Sequence, residues 1–196
     1  RVVRVEPGDK VLIVGASGGV GTAFLELGRL AGIEMVGLAS PRKHSVLREY
    51  GATPIDYHTQ DVVEVIREAE PEGLDFVFNG MAEEYLERGM AVLRRGGVLV
   101  HYGGPRSFGG FLLLIGKLAL YTLLPNGKAI KGYGTHRVDV SQRKEDWTKL
   151  FELLEEGKID PIIAETFPIL EARAANELLE SGRVVGNVVL LAPELL

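Results

Sequence analysis

The segment Lys10–Gly21, KVLIVGASGGVG, constrains the fold of this chain more than any other. A short apolar run, Lys10–Val14, has the pattern of a strand buried on both faces. It enters a glycine-rich turn at once. Val20, Ala23, Phe24, Leu27 and Leu30 then recur at helical spacing, which predicts a helix over Gly19–Ala31. A strand, a glycine turn and a helix in immediate succession form the context in which Gly-x-Gly-x-x-Gly binds a dinucleotide. Gly18, lacking Cβ, lets a pyrophosphate approach the backbone, and Gly21 lets the helix pack on the sheet. The free N–H groups of Gly19, Val20 and Gly21, with the helix dipole, attract phosphate. Ala16 stands where the first glycine is usual, and Ser17 follows it. A small residue fits there, so binding is still expected. The competing reading is a tight strand-to-helix turn with no ligand.

The rest of the chain repeats the same unit. Strands are expected at Glu34–Ala39, in TPIDY, at Leu74–Asn79, at Gly97–Tyr102 and at Lys128–Gly134, with helices between most of them. Such alternation implies a doubly wound parallel sheet of about six strands. A C-terminal strand–helix–strand tail follows, IIAETF, EARAANELLESG and NVVLLA. The expected division is 1–161 for the nucleotide-binding domain and 162–196 for the tail.

Composition narrows the class. The 196 residues carry a net charge of −5 and no basic block, which argues against nucleic acid. The absence of cysteine excludes disulfides and cysteine-ligated zinc within this chain. The chain begins RVVRVEPGDK, without a signal-peptide hydrophobic region, so a cytoplasmic location is the expectation. The greasiest run, Phe111–Pro125, is interrupted by Gly116 and Lys117 and falls short of the roughly 20 residues a spanning helix needs. It reads as a buried or interface helix, with a substrate-cleft lining or membrane-surface contact as alternatives.

The end of the second strand bears on which dinucleotide binds. An NAD site carries Asp or Glu about 20 residues beyond the loop, on the ribose hydroxyls. Here Ala39 and Ser40 hold that position, and Arg42 and Lys43 follow. A neutral residue leaves room for a 2′-phosphate, and two cations neutralise it. The expected cofactor is NADPH. The plainer reading is that both cations are solvated at a helix start.

Five segments in order, VEPGDKVLIVGASGGVG, YGATPIDY, LDFVFNG, RRGGVLVHYGG and ELLESGRVVGNVVL, resemble the cofactor-binding part of medium-chain dehydrogenases/reductases. The Ala-x-Gly-Gly-Val-Gly loop is similar to that of the zinc-independent quinone oxidoreductases. The likeness is weaker from Arg106 to Lys149. It implies NADPH-dependent hydride transfer to a quinone or an activated double bond, with no metal. Lys43, eight residues before Gly51, and Tyr57 match the family's contacts to the 2′-phosphate, with Arg183 as a further basic contact. Tyr57 could equally cap a core edge. Asn79 and Gly80 end the fourth strand, and Tyr102, Gly103 and Gly104 end the fifth, facing the nicotinamide. Asn187 replaces a lysine usual in the family, and no role carries over to it. The resemblance also implies a mostly β catalytic domain ahead of this region, against which the tail 162–196 packs, so the chain is expected to be a fragment that binds NADPH and turns over substrate poorly. It further implies a homodimer through the edge strand Lys128–Gly134.

No catalytic residue can be assigned. The four histidines, His44, His58, His101 and His136, have no metal-ligand spacing. His101 either approaches the nicotinamide or bonds backbone at a strand end. Two other functions fit the same residues: an enoyl-reductase segment of a polyketide or fatty-acid synthase, and a non-catalytic NADPH-binding regulatory or vesicle-associated homologue.

Overall fold

The computed structural model describes residues 2–81, 84–103, 108–123, 125–134 and 139–195. Six strands, β1 (Lys10–Val14), β2 (Glu34–Leu38), β3 (Thr53–Ile55), β4 (Leu74–Asn79), β5 (Leu93–His101) and β6 (Ala129–Gly132), form one parallel sheet in the order β3-β2-β1-β4-β5-β6. Helices α1 (Gly19–Leu30), α2 (His44–Glu49), α3 (Val62–Ala69), α4 (Glu84–Val92) and α5 (Phe108–Leu123) connect them. This is the Rossmann arrangement. The strand order reverses between β1 and β4, and the crevice beyond their carboxyl ends is where such sheets take ligands.

Alternation along β1 builds two cores. Leu12 and Val14 face a cluster with Ile55, Val62, Ile66, Leu86 and Leu99. Val11 and Ile13 face the opposite cluster with Leu25, Met35, Leu47, Phe78 and Val100. Both faces are covered, which is why the strand reads as an unbroken apolar run. Leu12→Ala is expected to cost about 2–5 kcal/mol, measured by urea unfolding, because Leu12 is fully buried and its neighbours cannot collapse freely.

Of the apolar residues at helical spacing in α1, only Phe24 packs on the core, 4.6 Å from the Phe78 ring. Val20, Leu27 and Leu30 are 57%, 37% and 46% exposed. Gly21, Leu25 and Gly28 pack instead, with Thr22 and Glu26. The reason is distance: a Cβ at Gly28 would collide with the Met35 sulfur on β2. Two glycines let the backbone itself approach the sheet, and a search for apolar side chains passes over them.

Helix α3 is held at its start by Asp61, whose carboxylate accepts from the Glu64 N–H at 3.0 Å and the Val63 N–H at 2.8 Å. These bonds hold its pKa below the usual carboxylate value. A lowered folded-state pKa gives stability that is present above the unfolded value, about 3.9, and lost as pH falls through the folded one. Asp61→Asn is therefore expected to flatten the fall of melting temperature on acidification below about pH 4.

Beyond β6, α6 (Val140–Glu155) leads to β7 (Ile163–Pro168), α7 (Ala172–Glu180) and β8 (Asn187–Leu191). Strands β7 and β8 make a separate two-stranded parallel sheet. No described residue of α6 is buried, and Trp147 and Phe151 stack on its exposed side. Helix α5, expected to be buried or at an interface, exposes Leu112, Ile115, Leu120 and Leu123. Among the described residues no helix is long and apolar enough to cross a membrane.

Candidate functional site

The glycine loop lies at the sheet's switch point, at the carboxyl end of β1. Gly15 has φ +78°, which frees it to turn the chain out of the strand. Ala16 is fully buried, and its N–H donates to the Leu38 carbonyl at 3.2 Å. Its methyl group fits because β2 has a glycine opposite: a Cβ at Gly37 would lie 2.8 Å from that of Ala16. The missing loop glycine is thus compensated on the neighbouring strand.

Ser17 is buried and its carbonyl accepts from the Gly186 N–H at 3.0 Å. Gly18 precedes α1 with no side-chain cap, and no acidic residue stands in the first turn. A Cβ at Gly18 would meet only the Gly15 carbonyl, at 3.6 Å, so the space in front of it is open. At Gly21 a Cβ would sit 2.6–2.7 Å from the Ala16 backbone. The first helical bond is Thr22 N–H to Gly18 O at 2.8 Å. The amides of Gly19, Val20 and Gly21 therefore have no acceptor within the helix. Uncapped donors at a helix start, beside an open glycine, form an anion site. Val20 points its side chain outward.

The cations expected at the end of β2 lie on the turn that follows it. Ser40 is half-buried and precedes a 3-10 turn, Pro41–Lys43, that delivers Arg42 and Lys43. Neither has an ion pair among the described residues. Arg42 is exposed; Lys43 is half-buried, and its Nζ donates to the Val184 carbonyl at 2.6 Å. Burial, then repulsion from Arg42, lowers the Lys43 pKa. Tyr57 is half-buried, packs against the core edge and lies 4.2 Å from the His58 ring.

At the other end of the crevice the β4 and β5 turns pack against each other. Asn79 is 0% exposed; its Oδ1 accepts from the Met81 N–H at 2.9 Å, which leaves its Nδ2 without an acceptor among the described residues. It lies beneath the turn. Gly80 and Gly103 are needed for closeness: a Cβ at Gly80 would strike the Tyr102 ring, and one at Gly103 would lie 2.9 Å from the Gly80 carbonyl oxygen. Tyr102 lies 5.9 Å from Phe24, and burial raises its pKa. His101 is buried and pairs in register with Asn79. Gly104 lies outside the described residues.

Sequence reasoning missed the tail. Gly186 bridges Gly18, and Asn187 stands over Gly19, where a Cβ would lie 2.9 Å from the Asn187 Cγ. Arg183, expected as a basic contact, is exposed and bonds Ser181 Oγ. The one available signal was Gly186 beside an asparagine in place of a usual lysine. Among the described residues no group of acids and histidines is placed to hold a metal ion.

An uncapped glycine loop at the switch point of a 3-2-1-4-5-6 sheet defines a nucleotide-binding Rossmann domain. Residues 50–190 match the zinc-binding dehydrogenase family. The chain belongs to the medium-chain dehydrogenase/reductase superfamily, in its quinone oxidoreductase-like branch. It is 31% identical to the synaptic vesicle membrane protein VAT-1 homologue of Mus musculus, covering 96% of this chain and 50% of that protein. It is 29% identical to a 2-haloacrylate reductase of Burkholderia sp, covering 96% and 57%. The crystal structure of CurK enoyl reductase superposes with a TM-score of 0.81 at 27% identity, over 96% of this chain and 56% of that one. The chain thus spans about half the length of the relatives it matches.

Proposed function

We propose that this chain forms the NADPH-binding part of an oxidoreductase that delivers hydride to a quinone or an α,β-unsaturated carbonyl compound. The observation that carries the reading is the pairing of an uncapped glycine loop with Arg42 and Lys43, two cations that follow the neutral Ala39-Ser40 where an NAD site places an acid and that have no carboxylate partner among the described residues. The open space at Gly18 accommodates a pyrophosphate on the first-turn amides. The cofactor, when bound, supplies the hydride. The protein's part is to bind and orient. Gly18, Gly19, Val20 and Gly21 hold the pyrophosphate through backbone N–H groups, with Ala16 and Ser17 shaping the turn. Ser40 leaves room for the 2′-phosphate that Arg42 and Lys43 neutralise, beside Tyr57. Asn79 supports the turn from below, and Gly80, Tyr102 and Gly103 border the nicotinamide end.

The unsaturated-carbonyl side of the reading is supported by relatives named as 2-haloacrylate and enoyl reductases. A non-catalytic, vesicle-associated role remains the second reading, because of the similarity to the VAT-1 homologue and the apolar residues α5 exposes. An assay of NADPH oxidation with a quinone and an enone tests the proposal. The chain by itself is expected to bind NADPH with little turnover, and the full-length protein to turn over. Robust quinone reduction by this chain alone contradicts the first expectation, and a full-length protein inert toward both substrate classes contradicts the enzymatic reading.

We also propose that β6 pairs with its counterpart in a second copy. Among the described residues it has one neighbour in the sheet, β5, and its Lys131 and Gly132, with the following Tyr133, are exposed. An open edge of this kind is a template for pairing. Light scattering on the intact protein should give a dimer, and a monomer refutes it.

A further inference from the structure

Two segments far apart in sequence meet at the glycine loop. The chain from Val184 to Asn187 crosses the start of α1 and is tied down at four points. The Val184 carbonyl accepts from Lys43 Nζ at 2.6 Å. The Gly186 N–H donates to the Ser17 carbonyl at 3.0 Å. The Asn187 N–H donates to the Ile162 carbonyl at 2.9 Å, and the Asn187 side chain stands over Gly19. Ile162 is steadied in turn from α1: the buried carboxylate of Glu26 accepts from the Asp160 N–H. The crossing is tight. Gly186 is buried at φ +80°, and a Cβ there would lie 2.7 Å from that of Ile162.

The Lys43 contact is the informative one. A half-buried ammonium beside a second cation, with a neutral carbonyl as its acceptor, is short of negative charge. An ammonium has three donors. One is used on Val184, so two remain for an anion while the first stays in place. A lysine side chain gives up rotamer entropy when it is fixed. The Val184 carbonyl has already fixed this one.

We propose that the crossing Val184–Asn187 is a working part of the phosphate site: Val184 positions Lys43 for a ribose 2′-phosphate, and Lys43 in turn couples occupancy of that phosphate to the tail. Lys43 is the contact residue and Val184 the positioning residue. The inference rests on the NADPH reading and deepens it. It makes the tail, and not only the loop after β2, a determinant of the choice between the two dinucleotides.

The test reads hydrogen exchange at the amides of Gly186 and Asn187 in this chain. The probes are adenosine 2′,5′-bisphosphate and adenosine 5′-monophosphate at matched occupancy, set by calorimetry. The bisphosphate should slow exchange at both amides about tenfold beyond the monophosphate. In Lys43→Met both amides should exchange faster without ligand, and the extra protection should vanish. Lys43→Arg, which keeps charge and donors, should restore part of it. Circular dichroism confirms that each variant is folded. Tight bisphosphate binding with no added protection at Gly186 and Asn187 overturns this inference alone, as does added protection that survives Lys43→Met. A bisphosphate that binds no tighter than the monophosphate overturns both this inference and the cofactor reading.

Discussion

Gly21→Val is expected to abolish dinucleotide binding and to destabilise the chain by about 3 kcal/mol, the upper end of the cost of overpacking a closed site. A Cβ at Gly21 would meet the Gly15 carbonyl and lie 2.6–2.7 Å from the backbone of Ala16. None of these atoms is the end of a flexible side chain, so relief requires α1 to move off β1. That movement carries the uncapped amides of the first turn away from the crevice. Urea unfolding reads the first effect and NADPH fluorescence the second. A variant that unfolds like the parent and binds NADPH equally well contradicts the packing described for the loop. Gly18→Ala separates the two effects. Its Cβ would have only the Gly15 carbonyl near it, at 3.6 Å, so stability should change little while a bound pyrophosphate is crowded.

The second large effect is on selectivity. Replacing both cations, Arg42→Glu with Lys43→Glu, should raise the Kd for NADPH by at least about 100-fold, since each charge-assisted hydrogen bond contributes about 1.5–3 kcal/mol. Binding of NADH should weaken by far less, because its ribose presents hydroxyls to that corner and a carboxylate accepts from them. The preference should therefore invert. Arg42 is exposed, whereas Lys43→Glu gives up the bond to the Val184 carbonyl, so urea unfolding of the variant is read beside the two titrations. Equal losses for both dinucleotides would place the two cations outside the ribose corner.

What the sequence disclosed is what local chemistry determines. The runs at Lys10–Val14 and Leu74–Asn79 are apolar because both faces of those strands are covered, and they lie at the centre of the sheet as that pattern requires. Gly51, a residue type that suits a helix end, follows α2 with φ +78°. Failures came where tertiary distance decided the outcome. The apolar stripe Val20, Leu27, Leu30 faces outward because Gly21 and Gly28, without side chains to signal burial, make the closest contacts. Ala16 was readable as tolerable, but the reason, Gly37 on the next strand, follows only from the β1–β2 register. The meeting of Asn187 with Gly19, and of Val184 with Lys43, joins segments separated by more than half the chain. Nothing in either segment alone announces the other.

The central claim is that the loop after β2 and the glycine loop together form a site for the phosphorylated dinucleotide. Calorimetric titration of the unmodified chain with NADPH and with NADH, in one buffer of modest salt, tests it most directly. The account predicts tighter binding of NADPH by at least about tenfold, the effect of roughly one charge-assisted contact. Binding of NADH as tight as or tighter than that of NADPH would contradict it.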